Sequence, residues 1–301
     1  MLICQIQKEG LYHHKMSVYD IVTDTIVKKL EKGTIPWKRP WNGLGSAKNV
    51  ISQKEYQGIN RFLLDLSSYD SNYWLTYKQA KDLGGHIKKG SKSTPIVYWN
   101  WLQKQDETTK EKYSVPLFRY YRGFNITQTE GLDHLIKKLH QEDEAKQIQF
   151  EPIKECEQIV QLYPNAPPIE HGGNRAYYHP SKDYVKLPLK EHFHSIPEYY
   201  STLFHELVHS SGNLKRLNRK GIAEPTYFAT YEYSKEELVA EMGASFLCTM
   251  TCIDNDTLDN SAAYIKGWLG KLRNEKKLLV TAAAQAEKAV QHISPNTTPE
   301  S

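Results

Sequence analysis

The chain has few cysteines and no long apolar segment. Its four cysteines are spread over 301 residues without a Cys-x-x-Cys pair, which excludes a disulfide framework and is typical of the reducing cytoplasm. Cys248 and Cys252 lie four residues apart and are interpreted as free core thiols rather than as a metal pair. No stretch approaches the roughly 18 apolar residues of a membrane helix, so we expect no membrane partner.

The first residues also lack the apolar run that an export signal needs. Helical patterning begins only at Ser17. Residues 1–16 are therefore predicted to be disordered or a mis-assigned extension, with Met16 as a candidate for the natural start. Residues 294–301 are polar, contain two prolines and are predicted to form a disordered tail.

The overall charge is mild but unevenly distributed. The net charge of +4 does not by itself indicate a polyanionic partner. The stretch from Lys28 to Lys92, however, carries 13 Lys and Arg against 5 Asp and Glu, which leaves the rest of the chain net acidic. Such asymmetry indicates an amino-terminal half that faces a polyanion, and a solvated basic surface is the alternative.

The hydrophobic periodicity predicts an α+β fold of two domains, an α/β domain over residues 17–150 and a mainly helical domain over residues 151–293. Ile96 to Trp101 and Ser114 to Ile126 are predicted strands, joined by a charged loop from Gln103 to Lys112. Residues 131–151 carry many charges without clear periodicity and are interpreted as a linker or a mixed segment. Ile196 to Ser210 is predicted to be a helix.

Aromatic and cationic residues are interleaved in the first half. Five of the six tryptophans precede residue 102, and a single-strand binder needs flat rings for base stacking together with cations along a groove. Because most aromatic residues of a small domain belong to its core, only Trp37 and Trp41, in a proline-bounded cationic loop, are singled out as exposed. The lysines after Gly84-Gly85 fit phosphate contacts or simply a solvated loop. The candidate DNA-binding residues are Trp37, Lys38, Arg39, Trp41, Lys54, Tyr56, Asn60, Arg61, Trp74, Lys78, Lys88, Lys89 and Lys92.

The segment His205-Glu206-Leu207-Val208-His209 carries the most specific motif. Histidines four residues apart project from one face of a helix, and the intervening glutamate can act as general base towards a water molecule. A catalytic zinc site takes three protein ligands and keeps one position open. The alternative is a core helix with two hydrogen-bonded histidines. We predict one Zn²⁺ per chain, with His205 and His209 as ligands and Glu206 as the catalytic residue.

The third ligand is expected from the segment Glu236 to Glu241. Glu237 and Glu241 share a helix face, and a ligating glutamate is commonly followed four residues later by an acid that orients a ligand histidine. We therefore assign Glu237 as the ligand and Glu241 to the outer position, with the reverse assignment open. Ser234 is predicted to cap this helix, with Glu237 as its capping-box partner.

Residues 153–290 resemble the zincin-like metallopeptidase domain of ArdC-type antirestriction proteins. The motifs that carry the resemblance are Tyr177-Tyr178, Asp183, Leu187-Pro188, Tyr200 to His209, Arg216-Leu217-Asn218-Arg219, and Glu236 to Ala244. Where the family usually has Trp-Thr-Gly-His, this chain has Ser210-Ser211-Gly212-Asn213. This departure concerns the substrate pocket and leaves the metal ligands in place.

Residues 17 to about 130 resemble the single-stranded-DNA-binding domain of the same family, which also stands at the front of some plasmid primases. The matching elements are Ile35-Pro36-Trp37 with Pro40-Trp41, Asn49, Tyr56-Gln57-Gly58-Ile59-Asn60, Trp74-Leu75-Thr76 with Gln79-Ala80, Gly84 to Lys92, Phe124-Asn125, and Thr129-Glu130-Gly131. Gln57 stands where the family usually has an arginine, so one cation is missing.

The resemblance implies an antirestriction protein of a mobile element such as a conjugative plasmid. It would bind incoming single-stranded DNA and carry a zinc metallopeptidase site that acts on a host protein. One alternative is a non-catalytic DNA-protection protein with a structural metal, and another is the accessory part of a primase-like system. Tyr227, Tyr231 and Tyr233 are candidates for stabilising a developing oxyanion.

Overall fold

The computed structural model of the chain describes residues 17–33, 35, 46–67, 69–105, 112–147, 151–223, 230–253 and 262–295. The predicted disordered segment at residues 1–16, most of the tail and the loop with Trp37 and Trp41 lie outside these ranges. Among the helices that are described, none combines the length and the apolar character that crossing a bilayer requires.

The first half combines helices with two small sheets. Its elements are α1 (Val18–Glu31), β1 (Lys48–Asn49), α2 (Gly58–Asp65), β2 (Tyr73–Thr76), α3 (Tyr77–Asp82), β3 (His86–Ile87), β4 (Thr94–Gln105), β5 (Lys112–Asn125), β6 (Thr129–Glu130) and α4 (Asp133–Gln147). The main sheet has the order β1-β2-β5-β4. Its longest feature is the antiparallel ribbon of β4 and β5, which pair from Thr94 and Gly123 out to Gln105 and Lys112.

The ribbon and α4 differ from the sequence prediction. The predicted charged loop from Gln103 to Lys112 is shorter than expected, because the strands remain paired as far as Gln105 and Lys112. The predicted linker at 131–151 is largely the helix α4. Its apolar stripe is narrow, because among residues 133–143 of the helix only Leu139 is buried, where it packs with Leu132 and neighbours on the sheet. The many charges on its outer faces hide this stripe from a periodicity count.

The second half is built mainly from helices. Its elements are α5 (Pro152–Leu162), β7 (Ile169–His171), β8 (Tyr177–His179), β9 (Tyr184–Leu187), α6 (Ile196–Ser211), α7 (Lys220–Ala223), α8 (Tyr231–Met250), α9 (Ala262–Asn274) and α10 (Leu278–Ile293). Helix α8 packs between α6 and α10. The three strands form a sheet of order β7-β9-β8, so β8 is an edge strand. The prediction of an α+β chain with a mainly helical second half is confirmed.

The two halves share one hydrophobic core. Buried residues of α1 and α2 belong to the same apolar cluster as those of α6, α8 and α10. Polar contacts also join the halves, one of them partly buried and one buried. The backbone N–H of Gly58 donates to Oε2 of Glu287 at 3.0 Å, and Nη2 of Arg61 donates to the carbonyl oxygen of Phe246 at 2.9 Å. A division at residue 150 remains a prediction, but helices from both sides of it pack together.

Candidate metal centre

Helix α6 presents the two histidines of the motif. Ser195 precedes the helix and caps it, because its hydroxyl accepts a hydrogen bond from the backbone N–H of Glu198 at 3.1 Å. Leu203, Phe204, Leu207 and Val208 are buried on the inner face of the helix. His205 and His209 lie one turn apart and only partly buried, and their Nε2 atoms are 3.1 Å apart. The helix therefore directs both imidazoles to a single point.

Helix α8 supplies a carboxylate to the same point. The Glu237 carboxylate oxygens lie 4.0 Å from Nε2 of His205 and 3.8 Å from Nε2 of His209. Ligand atoms of these three residues all lie within 4.8 Å of one another. The predicted capping role of Ser234 is wrong, because α8 begins one turn earlier and Thr230 caps it. Ser234 instead lies inside the helix and donates its hydroxyl to the Thr230 carbonyl, so Glu237 is free of a capping role.

A glycine brings the two helices close together. A β-carbon on Gly243 of α8 would lie 2.7 Å from Cγ2 of Val208, the residue before His209. Carbon atoms in ordinary contact are about 3.5–4.0 Å apart, so no larger residue fits without a shift of one helix. Gly243 thus sets how near Glu237 comes to the histidines.

The three donors fit a divalent metal ion. Two nitrogen ligands at about 2.0–2.1 Å from a tetrahedral zinc ion are roughly 3.3 Å apart, close to the 3.1 Å between the two Nε2 atoms. The carboxylate of Glu237 needs to approach by about half an ångström to meet the same geometry. Two imidazoles and one carboxylate form the donor set of open, catalytic zinc sites rather than of closed structural ones.

A buried ion pair orients His209 from behind. Its Nδ1 lies 3.4 Å from Oε1 of Glu236, the residue beside the candidate ligand. The guanidinium of Arg219 holds this carboxylate through both oxygens, at 2.9 and 2.5 Å. Arg219 also donates to the Val208 carbonyl and to the hydroxyl of Ser211. Glu236, for which no role was predicted, therefore contacts the ring nitrogen of His209 that does not face His205.

Glu241 is buried one turn further along α8, and its assignment to the outer position remains a prediction. Sequence reasoning missed Glu236 because spacing along a helix identifies a shared face but not the partner across the interface. The signal that could have found it was the pair of adjacent glutamates together with the arginine at position 219.

The carboxylates around His209 determine its protonation in the metal-free protein. Burial lowers the pKa of His209, but Glu236, Glu237 and Glu206 outweigh this effect and raise the pKa to about 9. Burial and the neighbouring His209 hold the pKa of His205 well below its ordinary value. Burial alone would raise the pKa of Glu236, but the Arg219 guanidinium outweighs this effect and holds the pKa below its ordinary value. In the absence of metal, a proton therefore resides on His209.

Glu206 and strand β8 line the cleft beside the three donors. The cleft has a volume of about 380 Å³. The side chain of Glu206 is largely buried, and burial raises its pKa, while its contact with the backbone amide of Tyr178 acts in the opposite direction. Within the described residues β8 pairs only with β9.

Comparisons with known proteins agree with this arrangement. Residues 156–285 match the family model of a zincin-like metallopeptidase, and residues 16–124 match that of the N-terminal domain of anti-restriction factor ArdC. The crystal structure of the metal-free antirestriction protein ArdC from plasmid R388 superposes with a TM-score of 0.73 at 32% identity, covering 92% of this chain and 97% of that one. The chain belongs to the ArdC family of antirestriction proteins.

A second structure of R388 ArdC and a DNA primase are also similar to this chain. The Mn(II)-bound structure of R388 ArdC superposes with a TM-score of 0.70 at 31% identity, again over 92% of this chain and 97% of that one. A DNA primase TraC of Escherichia coli is 33% identical over 296 residues, which is 91% of this chain. The chain spans only 27% of the length of that primase.

The structure describes two of the three tyrosines that are candidates for stabilising the oxyanion, and they differ in position. Tyr233 lines the cleft and hydrogen-bonds Glu237, and burial together with that carboxylate raises its pKa to about 12. Tyr231 is 46% exposed and interacts with Thr281 of α10, away from the cleft. Tyr227 lies outside the described residues.

The stretch where this chain departs from the ArdC family pattern supports the cleft from behind. The amide of Asn213 donates to the Tyr178 hydroxyl at 2.8 Å and to the Pro180 carbonyl at 3.2 Å. Arg216 and Asp183 form a partly buried ion pair that also contacts Tyr178. Ser211 accepts a hydrogen bond from Arg219. Asn213 thus supports strand β8, and Ser211 contacts Arg219, the arginine that holds Glu236 beside His209.

The structure contradicts two of the candidate DNA-binding residues. Trp74 is 1% exposed and packs with Leu64 and Ile96, so its ring is unavailable for base stacking. Arg61 is 3% exposed and donates into the second half of the chain, to Phe246. Composition suggested both, because a tryptophan and an arginine near basic residues look alike whether they face solvent or the core.

The other candidates fall into three groups. Asn60 joins α2 to β4 through both backbone groups of Val97, at 2.7 and 2.6 Å, and Tyr56 is half-buried. The lysines are exposed, and these are Lys54, Lys78, Lys88, Lys89 and Lys92. Four candidates lie outside the described residues, and these are Trp37, Lys38, Arg39 and Trp41.

Proposed function

We propose that this chain is an antirestriction protein of a mobile element, with a zinc peptidase site in its second half and a surface for single-stranded DNA in its first. The convergence of His205, His209 and Glu237 beside the buried Glu206 carries the enzymatic part of the proposal. An open donor set with a general base at its side serves hydrolysis, whereas a structural metal needs neither the base nor the cleft.

The residues around the cleft divide the work of peptide hydrolysis. When bound, one zinc ion supplies the Lewis acidity that makes a water molecule nucleophilic near neutral pH. The Glu206 carboxylate accepts a proton from the attacking water and transfers it to the amine that leaves when the peptide C–N bond breaks. Strand β8, which lines the cleft, is the element that we expect to align an extended substrate. The hydroxyl of Tyr233, protonated at neutral pH, is the candidate donor to the developing oxyanion, and it must turn from the Glu237 carboxylate to reach it.

Replacing the general base tests the enzymatic part. Zinc-loaded protein is assayed for cleavage of a dye-labelled casein and of denatured host-cell extract. We expect Glu206→Gln to retain about one zinc per chain and to lose at least a hundredfold in rate. The control His205→Ala is expected to lose the zinc itself. Absence of cleavage by the wild type on both substrates, with zinc bound, would contradict the peptidase.

The same substitution decides whether hydrolysis is needed for protection. A plasmid carrying Glu206→Gln is transferred into a host with an active restriction system, and the yield is compared with wild type and with a deletion. We expect the substitution to reduce the yield to that of the deletion. Full protection by Glu206→Gln would favour the non-catalytic DNA-protection protein.

The DNA-binding part rests on the match of residues 16–124 to the N-terminal domain of ArdC and on the exposed lysines. We expect single strands to bind more tightly than duplex at equal salt, and affinity to fall steeply as salt rises. Fluorescence anisotropy with labelled oligonucleotides measures both. Equal affinity for duplex would remove base stacking as the basis of recognition.

A further inference from the structure

Strands β4 and β5 form a ribbon that is rich in tyrosine and free of acidic residues. Over Thr94–Gln105 and Lys112–Asn125 the sequence has four Lys and Arg and no Asp or Glu. The run Arg119-Tyr120-Tyr121-Arg122 is exposed at all four positions. None of these residues was among the candidates that composition suggested, because they lie beyond the basic stretch that ends at Lys92.

The strand register sorts these side chains onto two faces. Tyr98 pairs with Arg119, and Ile96 pairs with Tyr121. Because side chains alternate along a strand and directly opposed residues share a face, Tyr98, Arg119 and Tyr121 lie together on one face. Tyr120, opposite Val97, points to the other face with Arg122. We refer to the set of Tyr98, Arg119 and Tyr121 as the tyrosine–arginine face.

Both rings of this face are exposed, and that of Tyr121 is also held in place. Tyr98 is 48% exposed and Tyr121 is 37% exposed. The hydroxyl of Tyr121 is hydrogen-bonded to that of Tyr56, which itself accepts a hydrogen bond from the amide of Asn49 at 3.3 Å. Ile96, opposite Tyr121 on the same face, is buried with Leu64 and Trp74 and anchors that end of the ribbon to the core. A ring whose position is fixed before binding loses little conformational entropy when a partner stacks on it.

We propose that the tyrosine–arginine face is where single-stranded DNA lies, with bases stacked on Tyr98 and Tyr121 and a phosphate held by Arg119. This inference rests on the proposed DNA-binding function and assigns it a surface. Flat rings with solvent-facing sides bind unpaired bases of any sequence, and duplex DNA keeps those base faces hidden. Arginine pairs with phosphate or stacks on a base. No carboxylate lies within the paired strands, where it would repel a polyanion; the three acids of the hairpin, Asp106, Glu107 and Glu111, all fall in the connecting sequence beyond Gln105.

The ribbon carries its own matched controls. Tyr120 is 45% exposed, almost as much as Tyr98, and lies on the opposite face of the same strands. Arg122 lies on the same face as Tyr120 and is the matched control for Arg119. The full chain, loaded with zinc, is titrated against a fluorescein-labelled oligothymidylate of about 20 nucleotides, which is longer than the site of a small single-strand binder.

We expect Tyr98→Ala to weaken binding about tenfold or more, the typical loss of one base-stacking ring. Arg119→Gln should weaken binding and reduce the slope of log affinity against log salt by about 0.7, one phosphate contact of a single strand. Tyr120→Ala and Arg122→Gln should bind within twofold of wild type. Tyr98→Trp, which keeps a stacking ring, should bind at least as tightly as wild type and serves as the folded reference if Tyr98→Ala unfolds.

The outcomes separate this inference from the proposed function. If wild type binds single strands and Tyr98→Ala, Arg119→Gln and Tyr98→Trp all bind equally well, the DNA lies elsewhere and only the surface assignment is overturned. Equal losses from Tyr120→Ala and Tyr98→Ala would overturn the choice of face. If wild type binds no single strand at all, both the proposed function and the surface fail.

Discussion

We expect the close contact between α6 and α8 at Gly243 to determine the ligand geometry of the metal centre. The substitution Gly243→Ala, which adds one methyl group at this contact, tests the expectation. The β-carbon of Gly243→Ala would stand 2.7 Å from Cγ2 and 2.9 Å from Cγ1 of Val208. Restoring an ordinary carbon–carbon contact of about 3.5 Å requires α8 and α6 to separate locally by roughly 0.8 Å. Glu237 already lies 3.8 and 4.0 Å from the two Nε2 atoms. An extra separation of this size therefore moves the carboxylate away from the position that an ion would need.

Two measured quantities should change together. Overpacking a buried contact costs about 1–3 kcal/mol, offset in part by the roughly 1 kcal/mol that alanine gains over glycine within a helix. We therefore expect a loss of up to about 2 kcal/mol in the free energy of unfolding, measured in urea on the metal-free protein. Zinc affinity, measured by competition with a chelator, should fall by about tenfold or more, as for other changes in the support of a metal ligand.

A second substitution supplies the control. Val208→Ala removes both γ-carbons that the new methyl group meets, so the double variant Gly243→Ala/Val208→Ala should regain zinc affinity relative to Gly243→Ala alone. Its loss of stability should be less than the sum of the two single losses. If Gly243→Ala binds zinc as tightly as wild type and unfolds at the same urea concentration, then helix contact at this glycine does not set the ligand geometry.

Three further predictions concern the groups around the metal. Glu236→Gln should weaken zinc binding 10- to 100-fold and destabilise the fold by leaving Arg219 unpaired in the interior, and Glu236→Asp should recover part of the affinity, as judged by chelator competition and urea melts. Because the pKa of His209 in the metal-free protein is raised to about 9, zinc must displace a proton from this residue at pH 7. Zinc affinity should therefore rise about tenfold per pH unit towards pH 9 and then level. Calorimetry in buffers of different ionisation heat should show the release of about one proton per zinc ion. A pH-independent affinity between pH 6 and 8 would show that His209 is already neutral. Tyr233→Phe should lower kcat about 100-fold or more with zinc retained, while Tyr231→Phe on the far side of the helix leaves kcat unchanged.

Local patterns in the sequence predicted the elements of the metal centre better than its connections. The spacing of His205 and His209 predicts a shared helix face, and the structure brings their Nε2 atoms to 3.1 Å. The third ligand was open between Glu237 and Glu241, since both lie on the same predicted face. Only the packing of α6 on α8 brings Glu237 to the histidines and Glu236 to the other side of His209. Such cross-helix partners follow from tertiary packing, which spacing along one helix does not encode.

The DNA-binding candidates illustrate the same limit from the other direction. Charge and aromatic content predict that a surface exists in the first half, but they do not distinguish a tryptophan in the core from one in solvent. Trp74 lies in a buried strand next to the core, and Arg61 points into the other half of the chain. The exposed tyrosines of the ribbon became visible only when the register of β4 and β5 was known.

The shared core explains why the two halves of this family occur together. Arg61 reaches from α2 to the carbonyl of Phe246 on α8, the helix that also carries Glu236 and Glu237. Gly58 at the start of α2 donates a hydrogen bond to Glu287 of α10, and α10 packs on α8. Separating the halves would expose the apolar faces of α1, α2 and α10 and leave Arg61 without its acceptor. This agrees with the E. coli primase, where 91% of this chain matches as one block within a protein several times longer. Because the largest apolar cluster draws on both halves, we expect the matched block to fold as one unit.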